Sequence, residues 1–161
     1  MKQLFESDHI SFVEVSALLV KDYLVMVNDF EHVARPMGSD RTEPVSEEKE
    51  LRWVQKKLEE KAAVYSMIEK ESGAFIGNIE LMDIADSVGE LGIALTASKQ
   101  NMGYGTEAVS ALVAYAVNVL GLKRVFLRTD PRNLRAIHVY EKCGFREYDR
   151  TDRHVCMEII P

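Results

Sequence analysis

The chain of 161 residues has the length typical of one compact domain, and its 47% hydrophobic and 29% charged residues exclude intrinsic disorder. No apolar run approaches the ~20 residues that a membrane span requires. The net charge of −6 disfavours nucleic acid as a partner, because nucleic-acid binding depends on basic patches that neutralise phosphates.

The N-terminal segment contains the acidic Glu6 where a secretory signal would have its apolar stretch. The two cysteines, Cys143 and Cys156, imply no disulfide framework, and the four histidines lack metal-ligand spacing. We therefore expect residues 1–161 to form a single cytoplasmic domain without a metal site and without a membrane or nucleic-acid partner.

The first half of the chain predicts an antiparallel arrangement, because short runs rich in apolar and β-branched residues are separated by turn residues. The predicted strands are residues 12–15, 62–68, 74–81 and 90–95. Gly73 marks a tight hairpin between the two middle runs, and residues 83–89 are expected to form the next connection.

Two helices are predicted in this half before the hairpin. The first covers residues 17–26, and the second follows Ser46, which is a typical cap residue with acidic residues behind it. Helical spacing predicts the buried face of the second helix. Its expected members are Leu51, Val54 and Leu58, with Trp53 close to that face.

The second half alternates helices with strands. The predicted elements are a helix over residues 106–120, a strand over 123–129, a helix over 133–142 and strands over 145–148 and 154–160. In the second of these helices Leu134, Ile137 and Tyr140 are expected to form the apolar stripe. Together the two halves predict an α/β fold with one mixed, mostly antiparallel sheet flanked by helices.

The most informative segment is the loop Gln100-Asn101-Met102-Gly103-Tyr104-Gly105, which follows a predicted strand and opens into a predicted helix. Two glycines at a helix entrance let several backbone N–H groups point the same way, and the helix dipole adds positive potential at that place. The loop is therefore suited to bind a phosphate group.

Two other interpretations of this loop have to be weighed. Gly103, Gly105 and Ala108 match the dinucleotide-binding fingerprint, with Asp130 where an acid would bind a ribose, which would indicate an NAD-dependent oxidoreductase. Against it, Leu95 ends the preceding strand well before the first glycine, and little chain follows Asp130. A loop that only turns the chain is the other interpretation.

The loop resembles the acetyl-CoA motif of the GNAT superfamily of N-acetyltransferases, to which Gln100, Gly103 and Gly105 correspond. Residues 133–145, which begin Asn-Leu-Arg-Ala and end Tyr-Glu-Lys-Cys-Gly-Phe, resemble a second block of the same family. The resemblance covers about residues 76–145. It implies a GNAT-like fold and the transfer of an acetyl group from acetyl-CoA directly to a primary amine.

In that family the loop binds the pyrophosphate, and the pantetheine arm pairs with the preceding strand, where a bulge over residues 93–95 is expected to splay it from its neighbour. A backbone N–H near Leu95 would bind the oxyanion. Lys99 is expected to supply charge, because the family has a basic residue where this chain has Met102. The implied cofactor-binding residues are Ile93, Ala94, Leu95, Gln100, Asn101, Met102, Gly103, Tyr104, Gly105, Thr106, Asn133 and Ala136.

The same resemblance implies two catalytic side chains. Tyr140 corresponds to the general acid that protonates the departing thiolate. Glu90 corresponds to the base that receives the proton of the amine, with Glu80 as second choice. Structural roles stay open: Tyr140 as a core residue, the two glutamates as solvated strand-edge charges, and Asn133 as a helix cap.

The layout resembles the branches that acetylate spermidine and ribosomal-protein N-termini. The expected acceptor is therefore a small amine or polyamine, or a peptide N-terminus, and the expected assembly is a monomer or a homodimer. No motif identifies the acceptor. A non-catalytic sensor or interaction protein that binds acyl-CoA with the same fold is the alternative function.

Overall fold

All eight strands lie in a single sheet in a computed structural model that describes residues 1–161. The strands are β1 (Gln3–Glu6), β2 (Ile10–Glu14), β3 (Ala63–Glu69), β4 (Phe75–Ala85), β5 (Val88–Leu95), β6 (Arg124–Thr129), β7 (Arg146–Arg150) and β8 (Val155–Ile159). Their order is β1-β2-β3-β4-β5-β6-β8-β7, and every neighbouring pair is antiparallel except β5 and β6. The predicted mixed, mostly antiparallel sheet is confirmed.

Four α-helices pack on the sheet. They are α1 (Val20–Val27), α2 (Glu47–Glu59), α3 (Tyr104–Asn118) and α4 (Leu134–Lys142), with 3₁₀ turns at Ala17–Leu19 and Ala97–Lys99 and a π-helical turn at Phe30–Ala34. The predicted cap of α2 is confirmed, since the Ser46 hydroxyl accepts a hydrogen bond of 3.2 Å from the Lys49 N–H. No helix combines the length and the apolar character that crossing a bilayer would take.

Each face of the sheet has its own apolar core, because successive strand residues point to opposite faces. On one face, Val64 of β3 packs with Tyr23 of α1 and Val54 of α2. On the other, the next residue, Tyr65, belongs to a core that contains Leu112 of α3 and residues of α4. We call these the α1/α2 face and the α3/α4 face.

The structure differs from the strand predictions at two places. The strand β1 was not expected, because only Leu4 and Phe5 in it are apolar; the Phe5 ring is stabilised by stacking on Tyr115, 4.1 Å between centroids. The connection expected over residues 83–89 is mostly strand. Asp86 and Ser87 turn the chain with positive φ values of 52° and 63°, a two-residue turn made without the glycine that usually signals it.

The expected buried faces of α2 and α4 are also partly wrong. Val54 is buried, but Leu51 and Leu58 are 39% and 44% exposed, and Glu50 is buried instead. Trp53, which was expected close to that face, packs its indole edge-on against Tyr23, 5.8 Å between centroids. In α4 the expected stripe holds at Ile137 and Tyr140, whereas Leu134 in the first turn is exposed.

Strands β5 and β6 separate along their length. They pair only between Val88–Glu90 and Arg124–Phe126, after which β6 pairs with β8 alone. The bulge expected over residues 93–95 is absent, because the register of β5 with β4 is regular from Leu91 to Leu95. The gap therefore opens because β6 diverges from a regular β5.

Candidate active site

The glycine loop presents an uninterrupted row of backbone donors. Asn101 and Gly103 adopt left-handed φ values of 62° and 87°, and α3 begins directly afterwards at Tyr104. None of the N–H groups from Asn101 to Thr106 donates a hydrogen bond within the protein. Free N–H groups at the positive end of a helix dipole form a binding site for an anion.

Side chains hold the loop against the rest of the molecule. The Gln100 amide donates to the carbonyl oxygens of Leu95 and His32, both at 3.0 Å, so this side chain ties the loop to the end of β5 and to the π-helical turn. The Asn101 amide oxygen accepts from the guanidinium of Arg135 in α4. The row of donors is thus supported from two directions.

The positive charge beside the loop comes from a residue that the sequence did not indicate. Arg135 lines the cleft next to Asn101. Lys99, the expected source, instead forms an ion pair of 3.0 Å with Glu69 and does not line the cleft. Hydrogen bonds from Ser72, Tyr104 and Lys99 hold the pKa of Glu69 at about 2, so it stays charged and keeps Lys99 engaged.

Two residues expected at the cofactor contribute only main-chain atoms to the loop. The Tyr104 hydroxyl donates to Glu69, and the Met102 side chain is 58% exposed to solvent. Neither side chain lines the cleft, whereas Gly103, Gly105 and Thr106 do. A Cβ on Gly105 would lie 3.7 Å from Leu95 and 3.9 Å from Val139, so it would narrow the cleft without a clash.

A cleft of about 360 Å³ lies between the loop, the gap of β5 and β6, and α4. We call the part formed by residues 100–106 and α4 the loop side. The part further from the loop, which we call the Arg128 side, is lined by Val33, Pro36, Met37, Met82, Glu90, Gly92 and Arg128, and His32 lies where the two parts meet, next to Gln100. The cleft thus has one side built on a motif and one side assembled from four separate segments.

The β5 wall of the cleft offers free backbone groups. The Thr96 N–H donates to the Ile76 carbonyl of β4 at 3.0 Å. Antiparallel pairing alternates, so Leu95 and Ile93 point their N–H and C=O groups to the other edge, towards the gap. Of these four groups only the Leu95 carbonyl is already engaged, by the Gln100 amide. Ile93, Ala94 and Leu95 all line the cleft, and an extended ligand can pair with this edge as a strand would.

Asn133 and Ala136 line the loop side at the start of α4. The Asn133 amide oxygen accepts a hydrogen bond of 3.2 Å from the Ala136 N–H, which is the helix-cap role left open by the sequence. The NH₂ group of the same amide has no partner in the protein, so Asn133 can cap the helix and still donate into the cleft.

Tyr140 reaches the cleft from α4 as a half-buried side chain. Its ring packs against Phe145 with 6.0 Å between centroids, and its hydroxyl makes no hydrogen bond within the protein. Burial disfavours the phenolate and raises the pKa of Tyr140 to about 12. Its hydroxyl therefore carries a proton at neutral pH, as a proton donor must.

Glu90 lies at the point where β5 and β6 separate, and it is buried. Arg128 of β6 donates to both of its oxygens, from Nε at 2.9 Å and from Nη2 at 3.1 Å. Burial raises the pKa of Glu80 on β4, but that side chain does not line the cleft. Of the two proposed bases, only Glu90 lines the cleft.

Asp130 lines the cleft after the end of β6, but its oxygens are engaged by Arg132 at 3.0 and 2.8 Å. The hydrogen bonds from Arg132 lower the pKa of Asp130 to about 2. The dinucleotide interpretation needed this carboxylate for a ribose, and here it is already occupied.

The structure brings most of the expected residues together around one cleft, apart from the side chains of Met102 and Tyr104. Three features of the site were missed: Arg128, Arg135 and the segment over residues 32–37. Arg135 lies inside the block over residues 133–145, but its position there indicated no role for its charge. Arg128 and the segment over residues 32–37 carry no motif and reach the cleft only because distant elements pack side by side. Strand alternation around the buried Leu127 is the one signal that could have drawn attention to Arg128.

Comparison with known proteins gives one consistent result. The family model described as "Acetyltransferase (GNAT) domain" matches residues 13–146. The spermidine N(1)-acetyltransferase of Vibrio cholerae is 28% identical over 83 residues, 50% of this chain and 48% of that protein. The Escherichia coli K12 enzyme of the same name is 33% identical over 75 residues, 45% of this chain and 40% of that protein. The matches therefore span about half the length of these relatives or less.

Solved structures share the fold at low identity. A GNAT family acetyltransferase from Bacillus anthracis superimposes with a TM-score of 0.82 at 17% identity, covering 96% of both chains. The spermidine N-acetyltransferase of Vibrio cholerae, in complex with CoA and spermine, gives a TM-score of 0.80 at 19% identity, again over 96% of both chains. At this level of identity the likeness concerns the fold alone.

Proposed function

This chain belongs to the GNAT family of acetyltransferases, and from that premise we propose that it transfers an acetyl group from acetyl-CoA directly to a primary amine. The observation that carries the proposal is the row of unpaired N–H groups from Asn101 to Thr106, which opens onto the gap between β5 and β6. Family membership leaves the NAD-dependent alternative without support.

The residues present fit acetyl-CoA. The row of N–H groups and the guanidinium of Arg135 suit its pyrophosphate. The free edge of β5 at Ile93 and Leu95 suits the amide groups of the pantetheine arm, and the NH₂ group of Asn133 faces the same cleft. When bound there, acetyl-CoA supplies an activated carbonyl carbon and a thiolate leaving group.

The side chains can then move the protons that the transfer requires. Glu90 receives the proton of the amine, directly or through water, and the amine nitrogen forms its bond to the carbonyl carbon as the carbon–sulfur bond breaks. The Leu95 N–H donates to the carbonyl oxygen while that oxygen carries negative charge. Tyr140 gives its proton to the sulfur, a role that its place in the cleft and its otherwise unbonded hydroxyl support.

We propose a small primary amine or a peptide N-terminus as the acceptor. The names of the relatives, two spermidine N(1)-acetyltransferases, support a small amine. Identities of 28% and 33% over half of this chain or less carry no further detail. A non-catalytic protein that binds acyl-CoA remains the second candidate, favoured by the engagement of both Glu90 oxygens by Arg128.

The test combines binding with turnover. Calorimetry should detect binding of acetyl-CoA and no binding of NAD. When amines are tested one at a time, the protein should release free thiol from acetyl-CoA only with the amine that it acetylates. Mass spectrometry should then find that amine acetylated. Tight binding without thiol release from any amine would favour the non-catalytic candidate, and absence of acetyl-CoA binding would disprove both.

A further inference from the structure

The cleft has no carboxylate that is free to attract a polycation. Two carboxylates line it, and each is held by an arginine: Glu90 by Arg128 and Asp130 by Arg132. Arg135 adds a positive charge on the loop side. A binding site for a polyamine needs uncompensated negative charge, and this cleft does not provide it.

Arg128 keeps one recognition edge unused. Its Nε and Nη2 donate to Glu90, and no group in the protein accepts a hydrogen bond from Nη1. The end of the guanidinium therefore retains one outward N–H on each Nη, the pair that binds a carboxylate through two parallel hydrogen bonds. Because Glu90 already fixes the plane of the guanidinium, a ligand at this end meets an oriented donor pair.

Arg128 lies away from the glycine loop. The preceding residue, Leu127, is buried in the core of the α3/α4 face, and strand alternation directs Arg128 to the other face. Glu90 lies on the same face, because the next residue, Leu91, belongs to the α3/α4 core as well. The pair thus stands on the side of the cleft opposite the loop, with Arg128 53% exposed.

Building on the function proposed above, we infer that the acceptor is an amine with a carboxylate next to its nitrogen, as in an α-amino acid. The carboxylate binds the free end of Arg128, and the ammonium lies beside Glu90, which accepts its proton. The neutral nitrogen then bonds to the acetyl carbon, the carbon–sulfur bond breaks and Tyr140 protonates the sulfur. The second proton of the nitrogen leaves through water and restores the Tyr140 hydroxyl. The apolar Val33, Met37 and Met82 line the same side and suit an uncharged side chain on the acceptor.

The test uses pairs of amines that differ only in the carboxylate. Leucine, methionine and phenylalanine are each compared with their carboxamides, and spermidine and a tripeptide are included as further acceptors. For at least one pair we expect kcat/KM to be about 10-fold or more higher for the amino acid than for its carboxamide. This ratio corresponds to the free energy of one charge-assisted pair of hydrogen bonds. Calorimetry of the same pairs in the presence of CoA should give the same order without turnover.

The Arg128→Gln variant should remove this preference, mainly by raising KM for the amino acid, while Arg128→Lys should retain part of it. If Arg128→Gln leaves Glu90 uncompensated and loses stability, the double variant Glu90→Gln/Arg128→Gln removes the orphaned charge, and its binding of the amino acid should still be lost. Thermal unfolding separates the two effects.

Arg150 provides a matched control. It forms the same two-pronged ion pair with Glu147 on β7, at 3.2 and 2.7 Å, with 50% of its side chain exposed, but it does not line the cleft. Arg150→Gln should leave the preference for the carboxylate unchanged. A similar loss of preference in both arginine variants would overturn the assignment to Arg128.

The inference and the proposed function can fail separately. If spermidine or the carboxamides are acetylated as well as the amino acids, the inference is wrong and the acetyltransferase function stands. If no amine is acetylated, the proposed function fails, and calorimetry with CoA still decides the inference: equal binding of carboxylate and carboxamide, or no binding of either, overturns it.

Discussion

The two sides of the cleft are built in opposite ways. The loop side presents main-chain donors from one contiguous segment, residues 101–106, and needs little from its side chains. The Arg128 side presents side chains from separate elements, such as Met37 after the π-helical turn, Met82 on β4 and Arg128 on β6. A site made of backbone leaves a motif in the sequence, because glycines and spacing determine it. A site made of dispersed side chains leaves none.

The difference also concerns charge. On the loop side the donors are unpaired and Arg135 bonds only to a neutral amide, so positive potential is available to a ligand. On the other side the charges of Glu90 and Arg128 neutralise each other, and only the N–H groups at the end of the Arg128 guanidinium are left for a ligand. The loop side should therefore attract an anion through charge, and the Arg128 side should select a ligand through geometry.

The largest effect should come from Tyr140, which reaches the cleft from α4 on the loop side. Tyr140→Phe removes the hydroxyl but keeps the ring contact with Phe145, so turnover should fall about 10²–10⁴-fold, as expected for loss of a general acid. Acetyl-CoA affinity should stay near that of the wild type. Steady-state kinetics and calorimetry check both numbers, and unchanged turnover would leave Tyr140 as an ordinary core residue.

A substitution in the loop should affect the loop side only. Gly103→Val places a β-branched residue at a φ of 87°, which costs about 1–3 kcal/mol and distorts the row of donors, so acetyl-CoA should bind about 10–100-fold more weakly. Gly73 has a φ of 76° and equally open surroundings in the β3–β4 turn. Gly73→Val should cost similar stability but leave the dissociation constant unchanged; an equal loss in both variants would contradict the role of the loop.

Arg135 should contribute less than the backbone row. Arg135→Gln removes an exposed guanidinium from the loop side, and acetyl-CoA affinity should fall about 5-fold at low salt. The loss should shrink as ionic strength rises, because exposed charges are screened. Titrations at two salt concentrations test this, with Arg150→Gln as the variant expected to show no change.

The smallest effect should be on stability, and it should come from the contact of Glu107 at the start of α3 with Ser7 and His9. Glu107 in its first turn accepts hydrogen bonds from Ser7 at 2.8 Å and from the His9 ring, 2.7 Å between Nδ1 and the carboxylate. The hydrogen bond to Glu107 raises the pKa of His9, so the protonated ring stabilises the fold below about pH 6.5 and this contribution is lost as the pH rises through the raised pKa.

His9→Gln should remove this pH dependence. Because the His9 side chain is largely exposed, the difference in melting temperature between wild type and variant should be only on the order of 1 °C, largest below pH 6.5 and absent at high pH. Melting curves across pH 5 to 9 measure it. A difference that grows with pH would contradict the assignment of the proton to His9.

Local chemistry allowed much of the fold to be predicted from the sequence. The α3 entrance, the hairpin at Gly73 and the cap at Ser46 were all predicted, because turn residues, caps and periodic apolar residues act within a few positions of each other. The row of donors on the loop side was also predicted from the sequence, because a glycine-containing loop at a helix entrance is a local pattern. The contacts of Gln100 and Arg135 that hold this loop were not.

Tertiary structure alone decided the rest. Residues 86–87 turn tightly without glycine, α2 buries Glu50 and exposes Leu51, and β6 leaves β5 after Glu90 without a bulge. Arg128 and Glu90 are 38 positions apart in the chain and meet only because parallel strands place them side by side. Contacts of this kind depend on how elements pack, and no local preference of the chain encodes them.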